Sequence, residues 1–161
     1  MIVKSASELT ELSQRIFEAA GCPAPISARV THALVDANLV GHDSHGVIRI
    51  PNYVGVVRSG NIIADAFAEA GRGEVVYTHS GTLIIGINPR VFVDPAQYAA
   101  TADETIRDLK AIPPAPGSSG VMIQGEPEAR SRADRIESGI PLAESTWDRI
   151  VQTATSVGVG I

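Results

Sequence analysis

The stretch Gly41-His42-Asp43-Ser44-His45-Gly46-Val47-Ile48-Arg49-Ile50-Pro51-Asn52-Tyr53 gathers the side chains best suited to chemistry. In a helix over 45–53, His45, Arg49 and Tyr53 recur at i, i+4 and i+8 and stack on one face. Imidazole exchanges a proton near neutral pH, and guanidinium grips a carboxylate through two parallel hydrogen bonds. A phenolic hydroxyl beside them completes a face for a small substrate whose carboxylate adjoins a carbonyl or hydroxyl carbon. The same spacing occurs more often on an ordinary solvated helix face.

Other chemistries fit less well. His42 and His45 at i, i+3 with Asp43 hint at a metal, yet no third ligand is placed by sequence, and no metal is expected. Ser44 beside His45 lacks the Gly-x-Ser-x-Gly elbow of a hydrolase nucleophile. Gly71-Arg72-Gly73, with neither a third glycine nor a preceding strand, reads as a hinge rather than a dinucleotide loop. Gly117-Ser118-Ser119-Gly120 reads as a flexible connection, His32 as a helix-surface residue and His79 as a turn residue.

Two helices must position the focal stretch. Ser5 and Glu8 form a capping-box pair ahead of Leu9, Leu12, Ile16 and Phe17, and Gly21 stops that helix. After Pro23 and Pro25 a second helix presents Ile26, Val30, Leu34 and Ala37 on one face, with Asp36 and Asn38 toward water. The pair should pack antiparallel. Asp43 or Ser44 can cap a third helix. Pro51 leaves its start open. A start near His45 puts proline past the first turn and kinks the helix, whereas a start at Pro51 suits proline but removes His45 from the helical register. Gly60 ends the element either way.

Beyond it, Val75-Val76-Tyr77 and Leu83–Ile87 read as strands of a hairpin. A helix runs from Pro95 to about Leu109, Val121-Met122-Ile123 is a short strand, and a helix follows from Pro127 to about Glu137. Its Arg130, Arg132 and Arg135 read as a solvated face among acids. Gly139 stops it, Pro141-Leu142 is extended, and the last helix buries Trp147, Ile150, Val151 and Ala154. The expected fold is α+β and mostly helical: an N-terminal helical hairpin plus third helix, a small mixed sheet of about three strands, and C-terminal helices. With 161 residues, one compact domain is expected.

A net charge of -5 and a pI near 5.3 argue against nucleic acid or an anionic membrane as partner. The single Cys22 fits a reducing compartment. With no signal peptide or spanning stretch in view, a cytoplasmic location is expected.

The Gly41 to Tyr53 stretch resembles the signature of the type 2 malate/L-lactate dehydrogenase family, NAD(P)-dependent oxidoreductases of 2-hydroxy and 2-keto acids. Gly81 to Pro89 with Phe92 is similar to a late segment of that family. Gly125-Glu126-Pro127-Glu128, Arg135, Gly139-Ile140-Pro141-Leu142 and Trp147 are similar to its closing segment. The resemblance implies an N-terminal helical block (1–62) and a C-terminal αβ block (74–158) joined near 63–73, without the family's long central portion. That portion carries most of the cofactor cleft and the acidic partner of the catalytic histidine.

The likeness further implies Ser44 and His45 as the catalytic proton-relay pair, Arg49 and Tyr53 as substrate-binding residues, and Gly125 and Glu126 as cofactor-binding residues. It implies NAD or NADP as cofactor and a 2-hydroxy or 2-keto acid as partner; apolar surface exposed without the central portion favours a homo-oligomer, a dimer. Activity is expected to be crippled by the missing centre. The alternative is a non-catalytic remnant or an oligomerisation module.

Overall fold

The computed structural model describes residues 1–60, 86–118 and 120–161. The strands expected at 75–77 and 83–87 lie outside the described residues, apart from Gly86 and Ile87, which belong to no helix or strand. Gly71-Arg72-Gly73, His79 and the junction near 63–73 lie outside them as well.

The chain is mostly helical and forms two compact units, Met1–Val75 with Glu128–Ile161, and Val76–Pro127. In the first, β1 (Ile2–Lys4) leads into α1 (Ala6–Ala19), whose start is held by reciprocal bonds between Ser5 and Glu8. Gly21 leaves α1 at φ +102, a conformation open to glycine at little cost. α2 (Ala24–Leu39) packs back on α1 as the expected pair. Two 3-10 turns follow, Asp43–His45 and Val47–Arg49, and lead into α3 (Ile50–Arg58). β2 (Ile140–Leu142) and α6 (Glu144–Ser156) complete the unit.

The sheet has two antiparallel strands among the described residues, not three. β1 pairs with β2 through Ile2↔Leu142, Val3↔Pro141 and Lys4↔Ile140. Val121-Met122-Ile123, read as a strand from its apolar run, is irregular rather than a strand. At Gly139 a Cβ would lie 2.6 Å from Val3 Cγ1, so glycine is what lets the strands approach.

The core gathers Leu9, Leu12, Ile16 and Phe17 from α1, Leu34 and Val35 from α2, and Ile140, Leu142, Ile150 and Ala154 from the C-terminal elements. Val47, Ile50 and Val54 plug it from the focal stretch. The buried line of α2 is Ser27, Thr31, Leu34, Val35 and Asn38, one residue round from the apolar face expected. Small polar residues suit the close approach of α1, where Ser27 Oγ donates to the Gln14 carbonyl at 3.0 Å.

In the second unit, Asp94 caps α4 (Pro95–Ala111) by accepting from the Ala96 and Gln97 amides. Lys110 near its end reaches the Val121 carbonyl and Glu126. α5 (Glu126–Ser138) begins in this unit and continues in the first. No helix among the described residues is long and apolar enough to cross a membrane.

Candidate functional site

The start of α3 is settled in favour of Pro51. The α-helix opens at Ile50 with proline in its first turn, where the missing N–H is not needed. His45 is therefore in a 3-10 turn, Arg49 ends the next turn, and Tyr53 is alone in the α-helix. The three do not form one helical stripe. Tyr53 is half-buried and packs against the core.

What brings His45 and Arg49 together is Ser44. Its hydroxyl lies 3.0 Å from His45 Nδ1, and its carbonyl accepts from Arg49 Nε at 2.7 Å. Nε makes that bond, and among the described residues the terminal amino groups of the Arg49 fork make no hydrogen bond or ion pair. Ser44, Ile48, Arg49, Asn52 and Arg149 line an open hollow of about 390 Å³. His45 and Tyr53 are not among these lining residues, and His45 is tied to them through its bond with Ser44.

The conformation of the stretch is built from beneath. Asn38 is buried, with 1% exposure, rather than facing water. Its Oδ1 accepts the Val47 amide at 2.8 Å, and its Nδ2 donates to Asp43 Oδ1 at 2.7 Å. One side chain thus serves both 3-10 turns, whose backbone groups lack regular helical partners. Gly46 has extended backbone, so its lack of a side chain matters for space: a Cβ there would overlap the Asn38 amide.

Arg135 of α5 clamps the first turn from outside. It donates to both Asp43 carboxylate oxygens, at 2.6 and 3.0 Å, and also to the Asn38 carbonyl. Burial alone would raise the Asp43 carboxyl. The bonds from Arg135 and Asn38, with the charges of Arg135 and His42, outweigh it and hold the carboxyl below its ordinary value. Arg132 pairs with Asp36 at 2.7 Å. Arg132 and Arg135 are thus structural ties rather than a solvated face, because α5 lies against the end of α2. His42 Nε2 stands 3.6 Å from Glu128.

Gly125 and Glu126 belong to the second unit. Gly125 has φ +92, and a Cβ on it would meet nothing within 4 Å, so the glycine serves the turn and not a close approach. The Glu126 carboxylate accepts from Lys110 Nζ at 2.8 Å and the Ile123 amide at 3.1 Å. These bonds close the loop ahead of α5.

Asn38 and Arg149 were not foreseen from sequence. Asn38 carried one usable signal, since it continues the Leu34 line by four residues just before a glycine turn. Arg149 carried none, because its role depends on α6 packing beside α3.

Residues 4–74 and 67–151 match the family model of malate/L-lactate dehydrogenase. Similar curated proteins include an L-sulfolactate dehydrogenase of Methanothermobacter thermautotrophicus, 29% identical over 109 residues, covering 65% of this chain and 30% of that protein. Another is a (2R)-3-sulfolactate dehydrogenase (NADP(+)) of Chromohalobacter salexigens, 39% identical over 64 residues, covering 40% of this chain and 19% of that protein. The matches span less than a third of either relative's length. The two stretches matched by the family model nonetheless cover most of this sequence, and the chain belongs to the malate/L-lactate dehydrogenase family.

Proposed function

We propose that this chain carries the acid-recognition and proton-relay part of a nicotinamide-dependent dehydrogenase that interconverts a 2-hydroxy acid and a 2-keto acid. The observation that carries this reading is the double engagement of Ser44, its hydroxyl to His45 and its carbonyl to Arg49, beside a hollow. Malate, lactate and sulfolactate, the acids in the names of the family and of the two relatives, share a hydroxyl-bearing carbon bonded to a carboxylate. Arg49 suits that carboxylate, since its free fork can make two parallel charge-assisted bonds.

Ser44 sets what His45 can do. In the tautomer with the proton on Nδ1, Ser44 Oγ accepts it and Nε2 keeps its lone pair. Nε2 is then the base that takes the hydroxyl proton as the alcohol becomes a carbonyl. In the reverse direction the imidazolium returns that proton to the carbonyl oxygen. Asn52 offers the hollow a neutral donor and acceptor, and Tyr53 is the more distant member of the acid site.

No hydride step is assigned to the described residues. We further propose that the chain joins two blocks of the family without its central portion. A displacement of about 1 Å can cost on the order of 10²-fold in rate. Turnover by this chain alone is therefore expected to be slight, even with NAD or NADP supplied.

Isothermal titration with L-lactate tests the acid site. Saturable binding that weakens at least about tenfold in Arg49→Gln is expected, the loss of one charge-assisted fork. Binding that is absent, or unchanged by Arg49→Gln, overturns the reading. Brisk NAD(P)H oxidation with a 2-keto acid, abolished by His45→Ala, would overturn the expectation of slight turnover alone.

A second reading, a self-associating module without turnover, is favoured by α4, which exposes Tyr98, Ile106 and Leu109. Light scattering separates the two: a dimer with no affinity for lactate supports the module.

A further inference from the structure

We infer that Arg149 is the receptor for a second acidic group, so that the hollow selects 2-hydroxy acids carrying another anion over monoanionic ones. This rests on the assignment of the first carboxylate to Arg49. Arg49 and Arg149 line the same hollow, one from the head of α3 and the other from α6. Among the described residues no carboxylate pairs with either guanidinium, whereas Arg132 and Arg135 are matched to Asp36 and Asp43. In a protein of net charge -5, two arginines on one concave surface with no ion-pair partner among the described residues create a local attraction for anions.

The backbones bearing the two cations are fixed by packing. Ile50 follows Arg49 and Ile150 follows Arg149, each only 1% exposed. α3 packs against α6, and Arg58 at the end of α3 reaches Ser156 at the end of α6, with 3.4 Å from Nη1 to the carbonyl. The separation of the two guanidinium stems is thereby set by the core, and the forks are left to close on a ligand. In the same hollow, Ser44 and Asn52 supply neutral hydrogen-bonding groups for the oxygen on the middle carbon. One acid group on each arginine, with a hydroxyl between, uses every polar side chain of the lining. A monoanion leaves Arg149 without a partner, which weakens binding without abolishing it.

The test is titration of L-lactate, L-malate and sulfolactate at about 0.15 M salt, where long-range attraction is screened, into the wild type and Arg149→Gln. Both dianions are expected to bind the wild type about tenfold more tightly than lactate, as one added charge-assisted contact implies. Arg149→Gln is expected to remove that preference, weakening malate and sulfolactate about tenfold more than lactate. Arg149→Lys should keep part of the preference. Arg29→Gln, which removes the same charge from the exposed side of α2, should keep all of it.

Preference for malate alone would assign a carboxylate receptor, and preference for both dianions a receptor for either anion. A preference that survives Arg149→Gln, or disappears equally in Arg29→Gln, overturns the proposal. So does lactate binding that depends on Arg49 with no gain from a second charge, and in that case the assignment of Arg49 stands. Failure of every acid to bind removes the assignment of Arg49 and this proposal with it.

Discussion

At the scale of single residues, the candidate site depends on one buried amide. Asn38 joins the Val47 amide to the Asp43 carboxylate, and Gly46 makes room for it. Asn38→Ala leaves a buried N–H without a partner, which costs about 1–3 kcal/mol. Gly46→Ala forces a methyl onto the Asn38 amide and should cost at least about 2 kcal/mol through displacement of both turns. Chemical denaturation of the two variants checks this. If Gly46→Ala is as stable as the wild type, the turns are not held in the described arrangement. Little of this was legible in the sequence. From the sequence, Asn38 reads as a polar residue on the solvated side of its helix. Only the path of the chain after Gly41, which folds back over α2, encloses it.

At the scale of elements, two contacts decide how the relay and the clamp are presented. Pro51 stands in the first turn of α3, where its fixed φ suits the helix. Pro51→Ala should therefore lose up to about 1 kcal/mol, through a more flexible unfolded chain. A proline that kinked a longer helix would instead gain about 3 kcal/mol on replacement. The sequence left these two starts open, because helix-forming residues lie on both sides of Pro51 and the choice depends on Val47 and Ile50 entering the core.

The second contact is the Asp43–Arg135 pair, which fastens the first 3-10 turn to α5. Since the folded carboxyl lies below its ordinary value, its contribution is complete above the unfolded value. It is lost as pH falls through the folded one. Thermal stability should thus drop in acid more steeply for the wild type than for Asp43→Asn. At neutral pH the variant should lose about 1 kcal/mol, a charge-assisted bond discounted because the carboxylate is half exposed. Parallel acid profiles for the two proteins would deny the pair this role.

At the scale of the molecule, the helical outline was readable from apolar periodicity and caps. The Ser5–Glu8 box, the stripe Leu9, Leu12, Ile16 and Phe17, and the C-terminal helices stand where their spacing put them. The sheet was less readable. β1 is three residues long and gains its partner 140 positions away, a pairing that no local pattern announces. The family was legible in two short segments, and it set expectations for Ser44, His45, Arg49 and Tyr53. The geometry revises how they are grouped. Ser44 links the imidazole and the guanidinium through its hydroxyl and its carbonyl, while Tyr53 faces the core. A preference for dianions, if found, would add Arg149 to this group as the contribution of α6.

The claim at the centre is that Ser44 and Arg49 line one acid-binding hollow, with His45 bonded to Ser44. Backbone amide shifts recorded by NMR during titration with L-lactate test it most directly. Saturating shifts concentrated in residues 44–52, and absent in Arg49→Gln, are the predicted result. Shifts scattered over the surface, or persisting in full in that variant, would contradict it.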